Sequence, residues 1–278
     1  MGAAAALGEV LADSAVVGAA GAVLAADIKF LSVKEGNMAN IPEKPEEIFG
    51  EFSRDFQAAY GSDLVSIILY GSGAKGEYIP KKSDINFLIT LTDAGIEHLE
   101  KALDLIPKWQ RRAVAVPLML TRSYIASALD VYPIEFLDMK THYRLVFGDD
   151  VLTELQIDKD HLRLQIEREL RGKLLSLRQG FLNTGNDRDH LRAMLAGIVS
   201  TLTAIFEALL FLRGEQLPNL KSQIFEKTAL TFGLDNSVFI HLLNVKRGQW
   251  HGSRVQLQEM AFNCIKQIKR LIEIVDKM

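Results

Sequence analysis

A single cysteine, Cys264, stands in 278 residues, so an internal disulfide is excluded and the chain fits a reducing cytoplasm. In the last apolar pattern it sits among Met260, Ala261, Ile265 and Ile268, which reads as a buried structural thiol rather than a nucleophile. The six histidines show neither an HExxH motif nor paired metal spacing. Excess charge is also lacking. A formal net charge of −3 gives no global electrostatic reason to bind nucleic acid or an anionic membrane. No sequence repeat is present, and the only low-complexity tract is at the start. There, residues 3–26 hold eleven alanines but no basic n-region, and Glu9 and Asp13 interrupt the apolar run. A signal peptide and a membrane span both fit poorly. Residues 1–37 therefore read as a weakly structured or artefactual segment, with Met38 an alternative start.

What is present has ordinary globular proportions, 48% hydrophobic and 24% charged. The length suits one large domain or two modest ones. Pro42 and Pro45 form a boundary, and Pro45-Glu-Glu opens a helix that carries Ile48, Phe52, Phe56 and Tyr60 on one stripe. Leu64–Tyr70 is a β-branched apolar run and reads as a buried strand. Ile85–Leu91 reads as a second strand. A helix runs from Ile96 to Pro107, and Val114–Leu120 reads as a third strand. Thr121-Arg-Ser opens a short helix. Tyr132–Asp138 reads as a fourth strand, and His142–Phe147 as a fifth. From Lys159 the apolar period becomes purely helical, with Leu191–Leu212 apolar nearly all round, as in the central helix of a bundle. The expectation is an α+β fold: a small mixed sheet with flanking helices over residues 38–155, then an all-α helical bundle over 156–278.

The chemistry gathers in Tyr70-Gly-Ser-Gly-Ala-Lys-Gly and Ser83-Asp-Ile-Asn-Phe-Leu-Ile. Gly71 directly after a strand permits a tight turn, and Ser72 offers a hydroxyl and an N–H to an anion. A lone Gly-Ser pair is more often just a strand-ending turn. Asp84 and Asn86, two apart, share a strand face, where two carboxylates would hold two Mg²⁺. Asparagine supplies a neutral oxygen instead, and Ser83-Asp84 also reads as a plain turn. Glu135, between Ile134 and Phe136 in mid-strand, costs stability unless it meets water or a partner, which favours a ligand or a base. Asp138, the rival acid, reads as solvent-facing. Lys75, Lys81 and Lys82 reach toward phosphates or are merely solvated. Trp109-Gln-Arg-Arg112 reads as a cationic helix end.

Taken together, these elements resemble the nucleotidyltransferase superfamily with the DNA polymerase β type of catalytic core. They are most similar to small bacterial antibiotic-type nucleotidyltransferases, which also carry a helical bundle after the catalytic domain. The likeness rests on strand–Gly71-Ser72, on Ser83-Asp84-Ile85-Asn86 with Asp84 twelve positions after Ser72, and on a later carboxylate at Glu135. It covers residues 64–91 best, extends to about 150, and is only architectural beyond. The resemblance implies that Gly71 and Ser72 grip a triphosphate, with Lys75 and Ser83 beside them. It implies that Asp84, Asn86 and Glu135 ligate metal and that Asp84 and Glu135 are catalytic. It further implies Mg²⁺, ATP as co-substrate, and transfer of a nucleotidyl group to a hydroxyl with release of pyrophosphate. Asn86 departs from the Asp-x-Asp pattern. A degenerate, nucleotide- or partner-binding protein of regulatory or antitoxin-like type is the alternative. The acceptor (small molecule, protein or RNA) is open, and a homodimer is compatible.

Overall fold

A computed structural model describes residues 40–278. The reading of residues 1–37 lies outside them. The described chain falls into two compact units, residues 40–157 and 158–278.

In the first unit Pro45 opens a 3₁₀ turn that runs into helix α1, Phe49–Tyr60. Phe52, Phe56 and Tyr60 of α1 are buried. Strand β1 (Leu64–Tyr70) is central. It pairs antiparallel with β2 (Asn86–Leu91) on one side and with β4 (Tyr143–Gly148) on the other. Strand β3 (Leu118–Thr121) lies parallel to β2, so the sheet is mixed, in the order β3-β2-β1-β4. Alternation along the strands divides the interior in two. Ile67, Leu69, Phe87 and Ile89 face α1 and Trp109, and Phe52 stacks on Phe87 with ring centroids 4.1 Å apart. Ile68 and Leu88 face the opposite way, toward Ile125, Phe136, Met139 and Leu152. Between β2 and β3 the expected single helix is broken. A 3₁₀ stretch, Gly95–Ala102, kinks at His98, and helix α2 follows at Leu105–Gln110. Thr121 caps α3 (Arg122–Ala128), its hydroxyl accepting from the Tyr124 N–H.

The fourth expected strand, Tyr132–Asp138, is a helix instead: α4, Pro133–Thr141. Pro133 at the first helical position has its φ pre-set and lacks an N–H that would be orphaned anyway, while Glu135 falls in the first turn, where the helix dipole favours an acid. Its burial is continuous rather than alternating: every residue from Pro133 to Leu137 is buried, and so is Met139. The segment expected as a fifth strand is β4.

The second unit is all helix: α5 (Lys159–Asn183), α6 (Arg188–Leu212), α7 (Lys221–Phe232), α8 (Asn236–Lys246) and α9 (Arg254–Val275). Helix α6 packs against all four others. Phe206 of α6 meets Phe225 and Phe239 with centroids 4.9 and 5.2 Å away. Asp158, Asp187, Asp235 and Ser253 accept backbone N–H bonds at the starts of α5, α6, α8 and α9. Gly233, left-handed at φ 62°, ends α7. Among the described residues α6 alone is long and apolar enough to cross a membrane, and 61% of its apolar window is buried in the protein.

Candidate functional site

The site is built where β1 ends. Gly71 takes φ +70°, and a Cβ there would lie 3.2 Å from Asn86 Nδ2, so both the backbone angle and the crowding call for glycine. The chain then coils tightly. The N–H groups of Ala74 and Lys75 donate to Gly71 O at 3.1 and 3.0 Å, and the Glu77 N–H donates to Ser72 O at 2.9 Å. The register sets Tyr70 opposite Asn86. The Gly-Ser turn and the start of β2 are thereby brought side by side, although Ser72 and Asn86 are fourteen positions apart in sequence.

Asp84 is exposed just before β2, and Asn86 is half-buried at its first position. Asn86 Nδ2 donates to Asp84 O at 3.4 Å. Ser83 belongs to its own loop. Its N–H donates to Ile79 O at 2.9 Å and its hydroxyl accepts from the Ile79 N–H at 3.2 Å, so it shapes the approach to Asp84. Tyr70, at the turn's edge, has its phenol pushed up to about 12 by burial and stays protonated at neutral pH.

Three expectations change here. Glu135 is buried on α4, outside the sheet, so it does not occupy the strand position that a third ligand was expected to hold. Lys75 leaves from the Gly-Ser turn as expected, but its ammonium sits 2.5 Å from Asp138 Oδ1. Asp138, expected to face solvent, is the residue sequence reading missed. Had the helix from Pro133 been recognised, spacing from Glu135 by three would have put both acids near one face. The strand next to β2 supplies no carboxylate either. Ile85 bridges Val114 and Leu88 pairs with Leu118, so the register slips by one and Asn86 lies beside Ala115 and Val116 in the segment Ala113-Val-Ala-Val-Pro117. Trp109-Gln-Arg-Arg112 closes α2, with Arg111 and Arg112 at the helix end as expected. Trp109 is buried with its indole N–H on Asp55, and Arg112 lies over the ring while binding Glu51.

The donor set of Asp84 and Asn86 consists of hard oxygens. It fits one Mg²⁺ that keeps several waters, but it is short of the carboxylates that a second ion would require.

No protein-family model matches the chain, and no curated protein matches it. Among solved structures, a spectinomycin adenyltransferase from Enterococcus faecialis, determined with ATP and spectinomycin, is similar at 12% sequence identity. The match covers 80% of this chain and 99% of that one, with a TM-score of 0.44.

Proposed function

We propose that the protein binds the triphosphate of a nucleotide, ATP in the first instance, together with Mg²⁺, and that its reaction is transfer of the nucleotidyl group to a hydroxyl of an acceptor. The observation that supports this reading is the meeting of the Gly71-Ser72 turn with Asp84 and Asn86 across β1 and β2. Ser72 and the turn would hold phosphate oxygens, and Asp84 with the Asn86 amide oxygen would hold the ion. Bound Mg²⁺ would neutralise phosphate charge and polarise the phosphorus under attack. Asp84 is exposed and therefore accessible to an ion.

A second reading, binding without transfer, is favoured by a specific observation: Asn86 and the residues beside it, Ala115 and Val116, are all uncharged. Titration calorimetry of ATP with and without Mg²⁺, on the wild type and Asp84→Ala, tests the shared part. Metal-dependent binding weakened at least about tenfold in Asp84→Ala is expected, since even outer partners of a metal site are worth that much. No binding by the wild type under any condition sinks both readings. Pyrophosphate release then separates them. Turnover by the wild type supports transfer, whereas turnover only in Asn86→Asp combined with Ala115→Glu supports binding alone.

A further inference from the structure

We propose that Asp138 sets the affinity of the Gly71-Ser72 turn for phosphate by competing for Lys75. The ammonium of the turn is held by a carboxylate of α4, and an arriving triphosphate must draw it from that carboxylate. The inference rests on the nucleotide-binding reading above.

Lys75 is part of the coil that follows Ser72, its own N–H bound to Gly71 O. Its four-carbon stem carries Nζ to within 2.5 Å of Asp138 Oδ1, and the two side chains are only 17% and 26% exposed. The partners differ in freedom. Asp138 is fixed to a helix anchored by buried Phe136, Leu137 and Met139, whereas a lysine stem can re-aim its charge. The position is also apt. Asn86 alternates with Phe87 and so shares a sheet face with Leu88, and Leu88 packs in one core with Phe136 and Met139. Helix α4 therefore covers the same face toward which Asn86 points. His142, 3.8 Å from Asp138, is held below the ordinary imidazole range by burial and then by the Lys75 charge, so at neutral pH it adds no cation to the pair. Glu77 is a further acid in this neighbourhood.

Charge accounting gives the proposal a sign. Asp138→Asn removes the carboxylate 2.5 Å from Lys75 at nearly constant shape, and it should tighten binding of ATP–Mg²⁺ and of inorganic tripolyphosphate by about two- to fivefold, the range of a partly exposed ion pair. Lys75→Met leaves Asp138 facing the phosphates uncompensated and should weaken both probes, with a shallower salt dependence. The double variant should bind more tightly than Lys75→Met, because the uncompensated carboxylate is gone, and more weakly than Asp138→Asn, because the ammonium is gone. If the ion pair merely shaped the turn, both single variants would weaken binding alike. The test is calorimetry of both probes on full-length wild type, the two single variants, the double variant and Asp84→Ala, at two salt concentrations, with circular dichroism to confirm folding. Asp138→Ser replaces Asp138→Asn if the latter misfolds. Weaker or unchanged binding in Asp138→Asn overturns the inference. If Asp84→Ala still abolishes metal-dependent binding in that case, the nucleotide reading stands alone. No binding in any variant removes both.

Discussion

At the scale of single residues, burial decides what a group can do. Glu135 and Asp84 are both acids, yet one is 8% exposed in the first turn of a helix and the other is open to water before a strand. Glu135→Gln is expected to lower stability by at least about 0.3–1 kcal/mol, the worth of the helix-terminus interaction alone, and to leave ATP affinity within about twofold. A folded Glu135→Gln protein that no longer binds the nucleotide would return Glu135 to the site. Cys264 is fully buried, and burial pushes its thiol up to about 12. It should not react with a thiol reagent at pH 8 until the protein is unfolded in denaturant, and rapid labelling of the native protein would contradict the packing of α9. That Gly71 and Ser72 come beside Asp84 and Asn86 was legible in sequence because the spacing of strand, turn and strand is local. Asp138 was not, because its partner lies 63 positions away.

Between elements, charged networks join α1 and α2. Glu51 is held below the ordinary carboxylate range by its bond from Lys108 first and from Arg112 second, while Lys108 also binds Asp55 at 2.6 Å. A carboxylate lowered on folding contributes stability above its unfolded value of 4.5 and loses it as the pH falls through the folded value. The fall in melting temperature between pH 6 and pH 3 should therefore be smaller in Glu51→Gln than in the wild type. An identical fall would show that the network adds nothing. The helix α4 shows why an element can be misread. Tyr132–Asp138 is short and apolar, and periodicity alone does not separate a buried strand from a buried helix. Pro133 followed by Glu135 was the local signal for a helix start. The packing settles the matter: Phe136 and Met139 lie against Ile68 and Leu88 on one face of the sheet, so the segment covers the strands as a helix rather than joining them.

Across the whole molecule, the composition of α6 admits either a core helix or a membrane span, and its packing separates them. Leu209 is 0% exposed within the bundle. Leu209→Ala should cost about 2–5 kcal/mol in denaturant unfolding, as a cavity in a close-packed interior does. A cost near zero would show that this face is not packed in the protein. The sequence by itself determined the α+β class, the all-helical character of the C-terminal unit, and the strand–turn–strand that carries the candidate site. All of these follow from local periodicity, turn chemistry and short spacing. Only the tertiary structure decided that Glu135 leaves the sheet, that Ala115 and Val116 lie beside Asn86, and that Lys75 is held by Asp138. Strand order and cross-element pairing are set by which faces bury together, and nothing in a linear sequence encodes that at a fixed spacing.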